Sequence, residues 1–209
     1  AVQDNDVFVN LYMSNTAKVE IGDQEVTLVQ ETEYPWKGQI KIKVEAEKPL
    51  DFNLKLRIPG WSTDQPVPGD LYRYYDKSNK SHAVTINGEK FETSVSKGYV
   101  SINRTWKTGD VIMLDLPMEI RLVQSNEQVK DNINLLAVER GPIVYCVEGI
   151  DNKGEVFNLL LPEYAPTSVQ WKPDLLGGIN IIKADVPSFT VRESGEEVKT
   201  KSHNLMAVP

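Results

Sequence analysis

Gln39-Ile40-Lys41-Ile42-Lys43-Val44-Glu45-Ala46 and then Asp51-Phe52-Asn53-Leu54-Lys55-Leu56-Arg57-Ile58 alternate polar and apolar side chains without a fault. Successive side chains on a strand point to opposite faces. Strict alternation therefore means one face buried and one wet. Pro59-Gly60 stops the second run.

The same pattern extends in both directions. Upstream, Val7-Phe8-Val9-Asn10-Leu11-Tyr12 is β-branched and aromatic, and Lys18 to Ile21, Gly22-Asp23 and Glu25 to Gln30 spell a hairpin. Downstream, Ala83 to Ile86 leads into Asn87-Gly88, a strong two-residue hairpin signal. Tyr99 to Ile102 follows a Lys97-Gly98 turn, and Thr108-Gly109-Asp110 turns into Val111 to Leu116, which Pro117 ends. Residues 62 to 81 read as a polar loop with three tyrosines and two prolines. Further strands are expected at 135–140, 143–147, 156–161, 168–171, 179–184 and 205–208. No segment carries apolar residues at helical spacing over about 11 residues. The expectation is an all-β fold of two consecutive antiparallel β-sandwich (jelly-roll/Ig-like) domains. The polar, aperiodic stretch 124 to 132 places the boundary so that 1–125 form the first and 126–209 the second.

At 209 residues, 40% hydrophobic and 25% charged, the chain can bury a core without a disulfide or metal staple. The net charge is −7, and Lys and Arg are scattered, so the clustered cations that displace phosphate counterions are missing and nucleic acid is not an expected partner. No apolar run reaches the ~20 residues of a membrane helix, so no membrane span is expected. The single Cys146 lies in the apolar run Ile143 to Val147, where a small buried thiol is expected.

Catalysis needs a placed acid and base, an activated nucleophile or a metal. His82 and His203 lack a metal-ligand partner at i+2 or i+4 and read as surface histidines. No nucleophile elbow or phosphate loop occurs, and Gly177-Gly178 reads as a turn. Glu31 with Glu33, Asp4 with Asp6, and Glu196-Glu197 are close pairs of the kind glycosidases use, but 30 acids in one chain must mostly sit in water. Aromatics are the remaining candidates. Trp36, after Tyr34-Pro35, and Trp61, after Pro59-Gly60, lie at strand ends, where a ring can stack on a sugar or plug the end of a core, and plugging is the default. Tyr34 and Tyr74, the latter within Tyr72-Arg73-Tyr74-Tyr75, complete the candidate glycan contacts. Trp106 and Trp171 read as structural.

Five motifs in order resemble a known family: Phe8 to Tyr12, Gln30 to Trp36, Leu56-Arg57-Ile58-Pro59-Gly60-Trp61, Gly98 to Ile102 with Arg104, Trp106 and Gly109-Asp110, and Glu139-Arg140-Gly141-Pro142-Ile143-Val144-Tyr145. Together they resemble the C-terminal part of glycoside hydrolase family 127, the β-L-arabinofuranosidase-like bacterial proteins. The resemblance implies an N-terminal (α/α) barrel with the active site, followed by two β-sandwich domains. It implies a zinc ion bound in that barrel by cysteines and a glutamate, with one cysteine as nucleophile. The family's adjacent Cys-Cys and Glu-x-Cys motifs have no counterpart in this sequence, so no catalytic or zinc-binding role carries over, and zinc is expected only in the domain outside it. The family continues beyond the segment matching Ser202 to Pro209, so a missing last strand of the second sandwich is an expectation.

The reading is a non-catalytic accessory region packing on its own upstream catalytic domain, with a homodimer as a further partner. A periplasmic or secreted location is expected over a cytoplasmic one. The alternatives are a carbohydrate-binding module and a free-standing β-sandwich interaction protein.

Overall fold

A computed structural model describes residues 1–162, 165–191 and 198–209. Its strands in chain order are β1 (Val2–Gln3), β2 (Asp6–Val9), β3 (Asn15–Ile21), β4 (Gln24–Thr32), β5 (Gln39–Ala46), β6 (Leu50–Arg57), β7 (Tyr72–Tyr74), β8 (Ala83–Ile86) and β9 (Glu89–Phe91). They continue with β10 (Val95–Ser96), β11 (Tyr99–Trp106), β12 (Val111–Asp115), β13 (Ile120–Ser125), β14 (Ala137–Arg140), β15 (Ile143–Tyr145), β16 (Thr167–Lys172), β17 (Ile179–Val191) and β18 (Val198–Ala207). The only helical elements among the described residues are short 3-10 turns, at Gly60–Thr63 and Lys130–Asn132.

The first sandwich packs a sheet of order β1-β2-β6-β11-β10 on one of order β3-β4-β5-β12-β8-β9. The alternating runs 39–46 and 51–58 are β5 and β6, one in each sheet. Their apolar sets face each other: Ile40, Ile42 and Val44 meet Phe52, Leu54 and Leu56, all at most 1% exposed. Trp106 is fully buried, stacks on Phe52 and donates its indole N–H to the Phe52 carbonyl at 3.0 Å. Asn87 and Gly88 both have positive φ, as the mirror-image two-residue turn between β8 and β9 requires. One pairing departs from the antiparallel expectation: β2 runs parallel to β6. Between them the chain crosses to the opposite sheet to build β3, β4 and β5, and such a crossover returns it to β6 in the direction of β2.

The second sandwich packs a sheet of order β15-β14-β13-β7 on one of order β16-β17-β18. Val138 and Tyr145 of the first meet Ile182, Ala184, Val186, Leu205 and Ala207 of the second. Two of its strands lie N-terminal to residue 126. Ile120–Ser125 pairs with Ala137–Arg140, and Tyr72–Tyr74, inside the expected loop 62–81, pairs with Val123–Ser125. The sheet pairing therefore crosses the 125/126 boundary. Residues 156–161 form no strand and touch the sheet through an isolated Leu159–Ser188 bridge.

Leu54→Ala in the first core should cost about 2–5 kcal/mol, the range for a buried leucine whose neighbours cannot collapse into the space. Glu20→Ala, on an exposed position of the outer strand β3, should change stability by less than ~0.5 kcal/mol. Urea titration of the two variants checks the contrast.

Candidate functional site: the charged seam between the sandwiches

Pro59-Gly60 ends β6 and opens a 3-10 turn that carries Trp61 to the junction of the two sandwiches. Gly60 is required there, because a Cβ would meet the Gln65 carbonyl oxygen at 2.8 Å. Asp64, in the left-handed conformation, closes the turn and aims its carboxylate at the second sandwich.

That carboxylate accepts a bond from Nη1 of Arg121 at 2.9 Å and one from the Ser78 backbone N–H at 3.1 Å. The Arg121 side chain, 8% exposed, lies with its guanidinium 3.9 Å over the Tyr74 ring. Its Nη2 donates to the Asp76 carbonyl at 2.5 Å, and its Nε lies 3.7 Å from the Asp76 carboxylate. Directly across the ladder from Arg121 stands Glu139, also buried, beside the Tyr74 hydroxyl. Burial raises the Glu139 pKa, against the lowering effects of Tyr74 and Arg121. Burial also raises the Tyr74 phenol, and the neighbouring Glu139 charge adds to the rise. Burial alone would raise Asp64. The Ser78 N–H and Arg121 outweigh it and hold the carboxyl below its ordinary value.

Three of the sequence motifs converge beside this cluster. Arg140 donates from Nη1 to the Trp36 carbonyl at 3.1 Å, tying the second sandwich to the first. Asn180 reaches the same carbonyl at 3.4 Å. Gly141 has φ +59, a left-handed backbone that L side chains adopt only with strain, so the Arg-Gly-Pro turn favours its glycine. Trp61, Ser62, Tyr74, Ser78, Pro117, Glu119, Arg121 and Gly141 line a recess with solvent space of about 10 Å³, room for one water and not for a sugar ring.

The four aromatic candidates thus sit at one junction with different partners. Tyr34 and Trp61 are half-buried against the first core, and Tyr34 meets Tyr12 edge to face. Trp36 is half-buried against Ile179, Ile181 and Val208 of the second sandwich, in an edge contact with Trp171. Tyr74 is 9% exposed and its ring is covered by Arg121. The aromatic richness of residues 71–75, read as loop chemistry, belongs to a strand of the other sandwich, a placement no local pattern signals.

Other sequence expectations also change. His203 is buried, not a surface histidine: it stands opposite Val186 on the core side of β17. Its Nδ1 lies 3.6 Å from Glu155, which also binds Lys201. His82 is half-buried, and burial lowers its pKa. Cys146 is exposed, because β15 ends at Tyr145 and the next residue points outward in a bridge to Val208. Trp171 is half-exposed at 50%. Glu31 is neutralised by Lys41 and Lys43 on an open sheet face, and Asp6 by Lys55. Glu196-Glu197 lies outside the described residues. Among the described residues no three His, Cys, Asp or Glu side chains gather as a metal ligand set, so those present do not fit the zinc site the resemblance implies.

Residues 6–118 match the family description "Beta-L-arabinofuranosidase, GH127 middle domain", and residues 120–209 match "Glycoside hydrolase family 127 C-terminal domain". The chain belongs to glycoside hydrolase family 127. The division between the two matches falls just before β13, while β7, inside the first match, pairs into the sheet of the second sandwich. The chain is 31% identical over 199 residues to a non-reducing end β-L-arabinofuranosidase of Bifidobacterium longum subsp. longum, covering 91% of this chain and 26% of that protein. A solved GH127 β-arabinofuranosidase superposes with a TM-score of 0.93 at 41% identity, over 100% of this chain and 32% of the other. The GH127 β-L-arabinofuranosidase of Geobacillus stearothermophilus T6 does so with a TM-score of 0.86 at 32% identity, again over 100% and 32%. This GH127 region thus spans between a quarter and a third of the length of these relatives.

Arg121→Ala should destabilise the chain by about 3–5 kcal/mol, because Glu139 loses its buried countercharge. Arg121→Ala combined with Glu139→Gln should recover part of that loss, measured by urea unfolding. The pH response has a definite sign. The Asp64 pKa is lowered by folding, so its contribution is complete above the ordinary carboxylate range and disappears as pH falls through the folded value. Asp64→Asn should accordingly flatten the acid limb of the stability curve.

Proposed function

We propose that this chain is the accessory β region of a glycoside hydrolase acting on L-arabinofuranosides, packed against a catalytic domain outside it. The observation that carries this reading is the pair of matches to a middle and a C-terminal family domain, together with coverage of about a third of the solved relatives. The chemistry of the seam supports it. Its buried Arg121 is engaged with the Asp64 carboxylate and the Asp76 carbonyl, and the recess beside it has no room for a glycosyl ring. In this reading the catalytic residues and the zinc lie in the other domain, and the region's role is to fold autonomously and brace that domain.

A second reading, glycan binding, has one observation in its favour. Tyr75, 45% exposed, stands at the lip of a groove of about 200 Å³ that Ile120, Leu122, Leu161 and Pro162 also line. An exposed ring beside such a groove can stack on the apolar face of a sugar, as can the exposed edges of Trp36, Trp61 and Tyr34.

The purified chain should leave an aryl β-L-arabinofuranoside unhydrolysed and contain less than stoichiometric zinc by mass spectrometry. Turnover that survives repurification, or one tightly held zinc per chain, would overturn the accessory reading. In titrations with arabino-oligosaccharides, a saturable change in intrinsic fluorescence that Tyr75→Ala abolishes would favour glycan binding. An unchanged spectrum would remove that reading.

A further inference from the structure

Residues 148–160 form a strap between β15 and β16 that is fastened to β17 and β18. Toward its end, Leu160 donates its N–H to the Pro187 carbonyl at 3.0 Å, and Phe189 donates to the Asn158 carbonyl at 2.9 Å. Nearer its start, the Asn152 side chain is fully buried. Its Nδ2 donates to the Glu148 and Met206 carbonyls, each at 2.8 Å, and its Oδ1 accepts from the Met206 N–H at 2.9 Å. Those three bonds fix which end of the amide is the oxygen.

His203, buried on β18, meets two acceptors of this strap. Its Nε2 lies 3.4 Å from Asn152 Oδ1, and its Nδ1 lies 3.6 Å from Glu155 Oε2. Glu155 Oε1 is taken by Lys201, while Oε2 is buried and accepts no hydrogen bond among the described residues. A neutral imidazole has one N–H and would turn a lone pair toward one of the two oxygens, whereas an imidazolium donates to both. The charged neighbours of the pair are few. Lys201, on the same side of β18, is 61% exposed. On β17, Val186 stands opposite His203, Ser188 is uncharged, and Asp185 is engaged by Asn204. On the facing sheet, Tyr145 shares the core, with its hydroxyl beside Arg140.

We propose that His203 is a pH-operated latch: the doubly protonated ring ties the strap to β18 through Asn152 and Glu155, and loss of one proton releases it. The latch has two limits. As pH rises, the contact with Glu155 is lost when the imidazolium gives up its proton. On the acid side Glu155 must stay ionised. Lys201 above all holds its carboxyl below the ordinary value, so that contribution is complete above the ordinary carboxylate range and disappears as pH falls through the folded value. The strap carries Ile150 and Phe157, both almost wholly exposed, so the latch sets the position of an apolar surface.

The test follows the ring and the strap together. Nitrogen NMR shifts of the His203 ring report its protonation, and amide hydrogen exchange, corrected for its intrinsic pH dependence, reports the strap. Protection of the Met206, Phe189 and Leu160 amides should fall about tenfold in step with loss of the His203 proton, the size expected of one charge-assisted hydrogen bond. Amides of β5 and β6 should keep theirs. Glu155→Gln should leave His203 titrating but remove the step, with far-ultraviolet circular dichroism unchanged, and His203→Gln should remove the step as well. Protection that ignores the His203 titration, a singly protonated ring under a closed strap, or a step that persists in Glu155→Gln would overturn the proposal.

Discussion

Arg121 is the cation on which the junction of the two sandwiches depends. It is buried on β13, and its ligands come from the excursion between β6 and β8: the Asp64 carboxylate, the Asp76 carbonyl and carboxylate, and the face of Tyr74. A guanidinium taken out of water is costly unless its donors are satisfied, and a fixed planar fork offers several donors at once. By collecting acceptors from residues 64–76, Arg121 draws that excursion away from the first sandwich and fastens it as a strand of the second. Glu139, opposite on β14, adds a second buried charge that is tolerable only beside Arg121 and Tyr74.

The other residues of the seam follow from this placement. Once Trp61 and Trp36 are brought to the junction, the Arg140 side chain has a carbonyl to bind, and Gly141 takes the left-handed turn that follows it. Three of the motifs that carry the family resemblance are in this sense fasteners. They are polar, aromatic and glycine-rich, as catalytic motifs are, yet their chemistry is spent on joining two β-sandwiches. A GH127 region built this way can present a fixed surface to the rest of a larger protein, because its two halves are held by a strand exchanged between them and by buried hydrogen bonds.

Much of the fold was legible along the chain. The period-two alternation of residues 39–46 and 51–58, the Asn87-Gly88 turn and the Thr108-Gly109-Asp110 turn are local signals, and the structure places β5, β6, β8 and β12 within a residue or two of them. Trp106 was legible as structural because it stands just before the Thr108-Gly109-Asp110 turn. The candidate site was less so. Tyr74 and Arg121 are 47 positions apart, and their contact depends on a pairing between segments that local periodicity cannot specify. His203 sits in a polar stretch, Lys201-Ser202-His203-Asn204, that conceals a core-facing position on a strand whose neighbours alternate out of it.

The sequence by itself determined the strand content, most turns and the family, because hydrophobic period and glycine-bearing turns act over a few residues and the motif order is a one-dimensional property. Only the tertiary structure decided where each strand went. Tyr72–Tyr74 joins the second sandwich and β2 runs parallel to β6. Tyr74 becomes a platform for a buried cation, and β16 is left at the edge of its sheet. Strand partnership is settled by long-range burial and by the need to satisfy buried donors and acceptors, and those terms exist only once distant segments meet.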